Sequence, residues 1–100
     1  MSGALLIVGA GPGIGLATAE RFGREGWTIV LAARNSRSLG PMVARLVGAG
    51  INAHALVVDA TDPAALQAGL RTANRMSGGL TAVLYNAARL RQQDLLSMSD

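Results

Sequence analysis

The chain has 100 residues, half of them hydrophobic, 15% charged and 13 of them glycine, which suits one folded, turn-rich domain and excludes both a second domain and a disordered segment. Its net charge of +3 rests on arginine alone: nine arginines and no lysine, scattered from Arg21 to Arg91, with aromatics at 3%, so there is neither a basic stripe nor a base-stacking platform and no nucleic-acid partner is expected. Cysteine is absent, which excludes disulfide frameworks, thiolate metal sites and a cysteine nucleophile and makes a reducing, cytoplasmic compartment the expectation.

The first apolar run, Ala4 to Val8, has no basic flank and is broken by Gly9 before it could serve as a signal or a membrane span. It reads as a buried strand, and no membrane partner is expected. A glycine-rich loop follows, then a helix from Ile14 to Glu25, with Ile14, Ala17 and Phe22 at helical spacing and Gly26 as its stop. Thr28 to Ala33 is the second strand. The second helix is expected from Ser38 to Val47, with Pro41 tolerated in its first turn, ending at the Gly48-Ala49-Gly50 breaker. Ala53 to Val58 is the third strand. Asp62-Pro63, an acidic N-cap with proline at the first helical position, opens the third helix, and Gly78-Gly79 closes it. Leu80 to Tyr85 is the fourth strand, and the tail from Asn86 reads as a loop that begins a helix near its end.

None of the four strand runs alternates between apolar and polar residues, which predicts strands covered on both faces, as in a parallel sheet. Strand and helix alternate three times before a fourth strand. With right-handed crossovers this gives an α/β, Rossmann-like, doubly wound parallel sheet, its first half, with strand order 3-2-1-4 and three helices.

The loop is Val8-Gly9-Ala10-Gly11-Pro12-Gly13-Ile14-Gly15. The fingerprint G-x-G-x-x-G started at Gly9 fails, because its last position falls on Ile14. The longer spacing Gly9-x-x-x-Gly13-x-Gly15 fits: one glycine for the tight turn, one where backbone approaches a pyrophosphate, one for close helix packing, with free amides at the helix N-terminus facing the anion. Pro12 stiffens the loop and removes one amide donor. The alternative is that these glycines serve backbone geometry alone.

With Gly13-Ile14-Gly15 in place, the loop resembles the cofactor loop of the short-chain dehydrogenase/reductase family. Ala32-Ala33-Arg34-Asn35 at the end of the second strand, Val58-Asp59-Ala60-Thr61-Asp62 at the end of the third and Tyr85-Asn86-Ala87-Ala88 after the fourth agree with it in order and spacing. The resemblance runs the whole chain but covers only the family's first half, and implies one dinucleotide-binding domain over residues 1–100, cut before the catalytic half. Three positions depart from the family: Val8 where it often has threonine, and Tyr85 and Ala88 in place of the first asparagine and the glycine of its Asn-Asn-Ala-Gly signature.

NAD sites of this architecture usually carry an acid about 20 residues beyond the loop, hydrogen-bonded to the adenosine ribose. Here no acid occurs between Glu25 and Asp59, and Ala33-Arg34 stands at the end of the second strand. A 2′-phosphate would meet a guanidinium there, so NADP is expected over NAD, with Arg37 able to add to the contact. A solvated loop arginine is the alternative.

The cofactor-binding candidates are therefore Gly9, Gly11, Pro12, Gly13, Ile14, Arg34, Asn35, Asp59, Ala60, Asn86 and Ala88. By resemblance Asp59 accepts from the adenine amino group with the Ala60 backbone beside the ring, and Asn86 sits under the cofactor ribose. The alternatives are helix capping for the aspartates, the favoured role for Asp62, and a strand-end turn for Asn86. His54, in mid-strand and far from any acid or nucleophile, reads as structural, and Phe22 and Trp27 as core.

By resemblance the reaction is hydride transfer between NADP(H) and a carbonyl or alcohol, with a tyrosine, a lysine four residues later, a serine and usually an asparagine. With no lysine in the chain, the Tyr-x-x-x-Lys helix is missing. Tyr85-x-x-x-Arg89 starts in a strand and lacks one-turn stacking, so no catalytic residue and no metal site are assigned. The fourth strand would also form an apolar, uncharged edge, so a fragment of a reductase is expected rather than a complete small protein, and a small-molecule substrate only where the missing half is present. A non-catalytic nucleotide-binding module and a protein-interaction module that completes its sheet by strand addition are the alternatives, and homo-oligomerisation stays open.

Overall fold

The computed structural model describes residues 3–9 and 14–85, of Ile14 the backbone alone. Among them the elements run β1 (Ala4–Val8), α1 (Ile14–Arg24), β2 (Thr28–Ala33), α2 (Ser36–Gly48), β3 (Ala53–Val57), α3 (Pro63–Met76) and β4 (Ala82–Tyr85). The strands pair in parallel in the order β3-β2-β1-β4, as expected.

Period-two geometry sends alternate side chains of each strand to opposite faces, and here both faces of the central strands are covered. Leu5 and Ile7 of β1 join Ile29 and Leu31 of β2 in one core with Leu16 and Ala19 of α1 and Leu39, Met42 and Leu46 of α2. Leu6 and Val8 join Val30 and Ala32 in a second core with Ala73, Leu66 and Leu70 of α3. All five residues of β1 are buried, which explains why the run shows no polar alternation.

Among the described residues, coverage on both faces fails for the outer strands, which corrects the reading of all four runs as doubly covered. Val57 of β3 is 56% exposed, and Val83 and Tyr85 of β4 are 50% and 57% exposed. An apolar run records the residue types a strand carries. Whether a helix lies over it depends on its place in the sheet, which composition does not encode.

The helix ends have local causes. After α1, the Trp27 N–H donates to the Phe22 carbonyl at 3.1 Å and the Gly26 N–H to the Gly23 carbonyl at 3.0 Å, while the Phe22 and Trp27 rings meet edge to face at 5.1 Å. α2 closes the same way: the Ile51 N–H donates to the Leu46 carbonyl and the Gly50 N–H to the Val47 carbonyl, with Gly50 at φ 83°, and Leu46 and Ile51 share a core.

The start of α2 differs from expectation. Asn35 is its N-cap, its side chain accepting from the Arg37 N–H at 2.8 Å, so the helix begins at Ser36 and Pro41 falls beyond the first turn. Proline there cannot donate to the carbonyl four residues back. Arg37 and Pro41 are both exposed, so water can take the missing donor's place. Smaller differences are that α1 ends at Arg24, β3 at Val57, and β4 starts at Ala82. Leu80 instead packs into the α3-side core, and its N–H donates to Asn74 Oδ1 at 2.8 Å.

Candidate functional site

Parallel pairing brings the carboxyl ends of the strands to one rim. The register sets Val8 beside Ala32 and Tyr85, and Ala33 beside Val57, so the four strands finish almost level. Two backbone bonds tie the exits together: the Gly9 N–H donates to the Ala32 carbonyl at 2.8 Å and the Val58 N–H to the Ala33 carbonyl at 2.9 Å. In an open α/β sheet the crevice outside these ends, where the chain order reverses, is where ligands bind. That reversal falls between β1 and β4.

At the exit of β1, Gly9 has φ 80°, a left-handed backbone that glycine adopts without a Cβ penalty. The chain must turn sharply here to reach α1. Of the remaining loop candidates, Gly11, Pro12 and Gly13 lie outside the described residues, as do Asn86 and Ala88; the backbone of Ile14 opens α1.

At the exit of β2, Arg34, Asn35 and Arg37 are all exposed. Among the described residues no carboxylate pairs with Arg34; the salt bridge found lies elsewhere, between Arg45 Nε and Glu20 Oε2 at 3.1 Å. The exit of β2 therefore offers a guanidinium and the N-terminus of α2, a donor set that fits an anion such as a phosphate ester. Asn35 is brought to the same place, but its Oδ1 is engaged in capping α2.

At the exit of β3, Asp59 and Ala60 are half-buried, and Ala60 packs against the α3-side core. Asp59 Oδ1 accepts from the Thr61 N–H at 3.0 Å and from the Thr61 hydroxyl at 2.6 Å. Thr61 was not among the sequence candidates, although an aspartate followed two residues later by threonine is the pattern of a side-chain-braced turn. Asp62 is the α3 N-cap, accepting from the N–H groups of Ala64 and Ala65, as its Pro63 neighbour predicts.

Other features lie apart from this rim. His54 is half-buried in mid-β3, paired in register with Val30. A shallow groove of about 290 Å³ is lined by Arg71, Asn74 and Arg75 on the last turns of α3, which run back toward the amino ends of the strands. Among the described residues no group of acids and histidines could hold a metal ion, and no helix is long and apolar enough to cross a membrane.

A 3-2-1-4 parallel sheet, helices on both faces and a glycine turn after the first strand define the first half of a Rossmann-like α/β fold. The family model for short chain dehydrogenases matches residues 4–100, and the chain belongs to that family. It is 34% identical to 17-beta-hydroxysteroid dehydrogenase 13 from Homo sapiens over 96 residues, 96% of this chain and 32% of the human protein. Among solved structures it is similar to an actinorhodin polyketide ketoreductase variant with NADPH (TM-score 0.80, 26% identity, 96% of this chain and 40% of that one). It is likewise similar to an NAD+-bound xylitol dehydrogenase (TM-score 0.76, 32% identity, 81% and 31%). The chain spans about a third of the length of the curated relatives it matches.

Proposed function

We propose that the chain is the NADP-binding portion of a short-chain oxidoreductase that moves hydride between NADP(H) and a carbonyl or alcohol. The observation that carries this reading is Arg34, an exposed guanidinium at the exit of β2, in a stretch between Glu25 and Asp59 that contains no acid. Its similarity to both an NADPH-bound and an NAD+-bound structure makes the end of β2 the deciding position.

In this reading Gly9, Gly11, Pro12 and Gly13 carry the chain past the diphosphate, which the amides opening α1 at Ile14 receive. Arg34 faces the 2′-phosphate, with the exposed Asn35 next to it in the chain and its Oδ1 capping α2. Asp59 and Ala60 flank the adenine, and Asn86 and Ala88 approach the nicotinamide ribose. When bound, the nicotinamide supplies or accepts the hydride. No residue of this sequence is assigned to proton transfer, because it contains no lysine to pair with a tyrosine.

Calorimetric titration of NADP and NAD into the wild type and Arg34→Ala tests the reading. A charge-assisted contact of this kind corresponds to a preference on the order of ten- to a hundredfold. The wild type should favour NADP by that factor and the variant should lose it, with NAD affinity changed less than about twofold. Equal affinities for both dinucleotides before and after substitution contradict it.

The exposed Val83 and Tyr85 on β4 favour a second reading, a module that completes its sheet by strand addition to a partner. Such a module has no need of a dinucleotide, so the same titration separates the two.

A further inference from the structure

We propose that Thr61 is a positioning residue for the adenine end of the site, holding the Asp59 carboxylate in the orientation in which it accepts from the exocyclic amino group of the base. The inference rests on the reading above, which sets the exit of β3 against the adenine ring.

Thr61 directs two donors at one atom. Its N–H reaches Asp59 Oδ1 at 3.0 Å and its hydroxyl reaches the same oxygen at 2.6 Å. The second distance is the ordinary one for a hydroxyl donating to an ionised carboxylate, a charge-assisted bond. A carboxylate held by one donor still swivels about its Cβ–Cγ bond. Two donors converging on Oδ1 from a single residue remove that rotation and set the lone-pair directions of Oδ2, which receives neither of them.

The turn that carries Thr61 is itself fixed at both sides. The Val58 N–H donates to the Ala33 carbonyl at 2.9 Å, and the Asp62 N–H donates to the Asp59 carbonyl at 3.1 Å. Thr61 is exposed and belongs to neither core, so its side chain is not accounted for by packing. Any residue but proline at position 61 can supply the backbone bond. The hydroxyl bond requires threonine or serine, and this makes the idea testable by conservative exchange.

The base itself provides the readout. Adenine presents an N–H donor at its 6-position, whereas hypoxanthine presents a carbonyl, an acceptor that a carboxylate opposes. The ratio of affinities for NADPH and its hypoxanthine analogue therefore reports the contacts made to the 6-position and N1 edge of the base, and the part of it lost in Asp59→Ala is the Asp59 contact. We would measure it by calorimetry on the wild type, Thr61→Ser, Thr61→Val, Thr61→Ala and Asp59→Ala, checking each fold by circular dichroism and its melting temperature.

The expected result is a wild-type preference for the adenine form of about tenfold, kept by Thr61→Ser and cut about threefold or more by both Thr61→Val and Thr61→Ala. If Asp59→Ala abolishes the preference while folded Thr61→Val and Thr61→Ala retain it in full, the positioning role is wrong and the adenine contact stands. A wild type that binds neither form, or does not distinguish them, overturns the site reading and this inference together.

Discussion

Asp62 and Asn35 have the same local job and were legible to different degrees. Asp62 stands before Pro63, and the pair has few uses other than opening a helix. Asn35 sits next to Arg34 in a segment that resembles a cofactor contact, so its residue type alone did not separate ligand binding from capping. The structure puts its Oδ1 on the Arg37 N–H. Thr61 escaped notice because its role depends on Asp59 two residues earlier rather than on its own chemistry. The capping assignment makes a numerical prediction: Asp62→Ala should lower the unfolding free energy by about 1 kcal/mol in urea titration, and Asp62→Asn should restore most of the loss, because either side-chain oxygen accepts from the first turn.

Elements read well where one helix or strand answers to one pattern. α3 was legible from its cap to its glycine stop, and the central strands from their unbroken apolar runs. What the patterns did not carry was how closely the elements approach. Gly69 lies in the buried face of α3, and a Cβ added there would stand 2.7 Å from Val58 Cγ2. Val58 is buried and β-branched, so it has little room to turn away. Gly69→Ala would gain about 1 kcal/mol of helix propensity, while the overpacking costs about 1 to 3 kcal/mol, so the net change is destabilising. At Gly48, the last residue of α2, an added Cβ would meet nothing within 4 Å. Gly48→Ala should therefore stabilise by up to about 1 kcal/mol, and opposite shifts of the two melting temperatures would check the pair.

For the molecule as a whole, the 3-2-1-4 order followed from alternating strands and helices plus right-handed crossovers, because few topologies satisfy both. The exposure of β3 and β4 did not follow, since it depends on which strands the order leaves at the margins. The same order brings Gly9, Arg34 and Asp59, 50 residues apart from first to last in the chain, to one rim. A labelled sample followed by amide NMR during titration with NADPH tests whether that rim is the binding site. The largest shifts should fall on Gly9, Arg34, Asn35, Asp59, Ala60 and Thr61, and saturate together. Shifts centred instead on the α3 groove of Arg71, Asn74 and Arg75, or on Val83 and Tyr85 of β4, or no shifts at all, would contradict it.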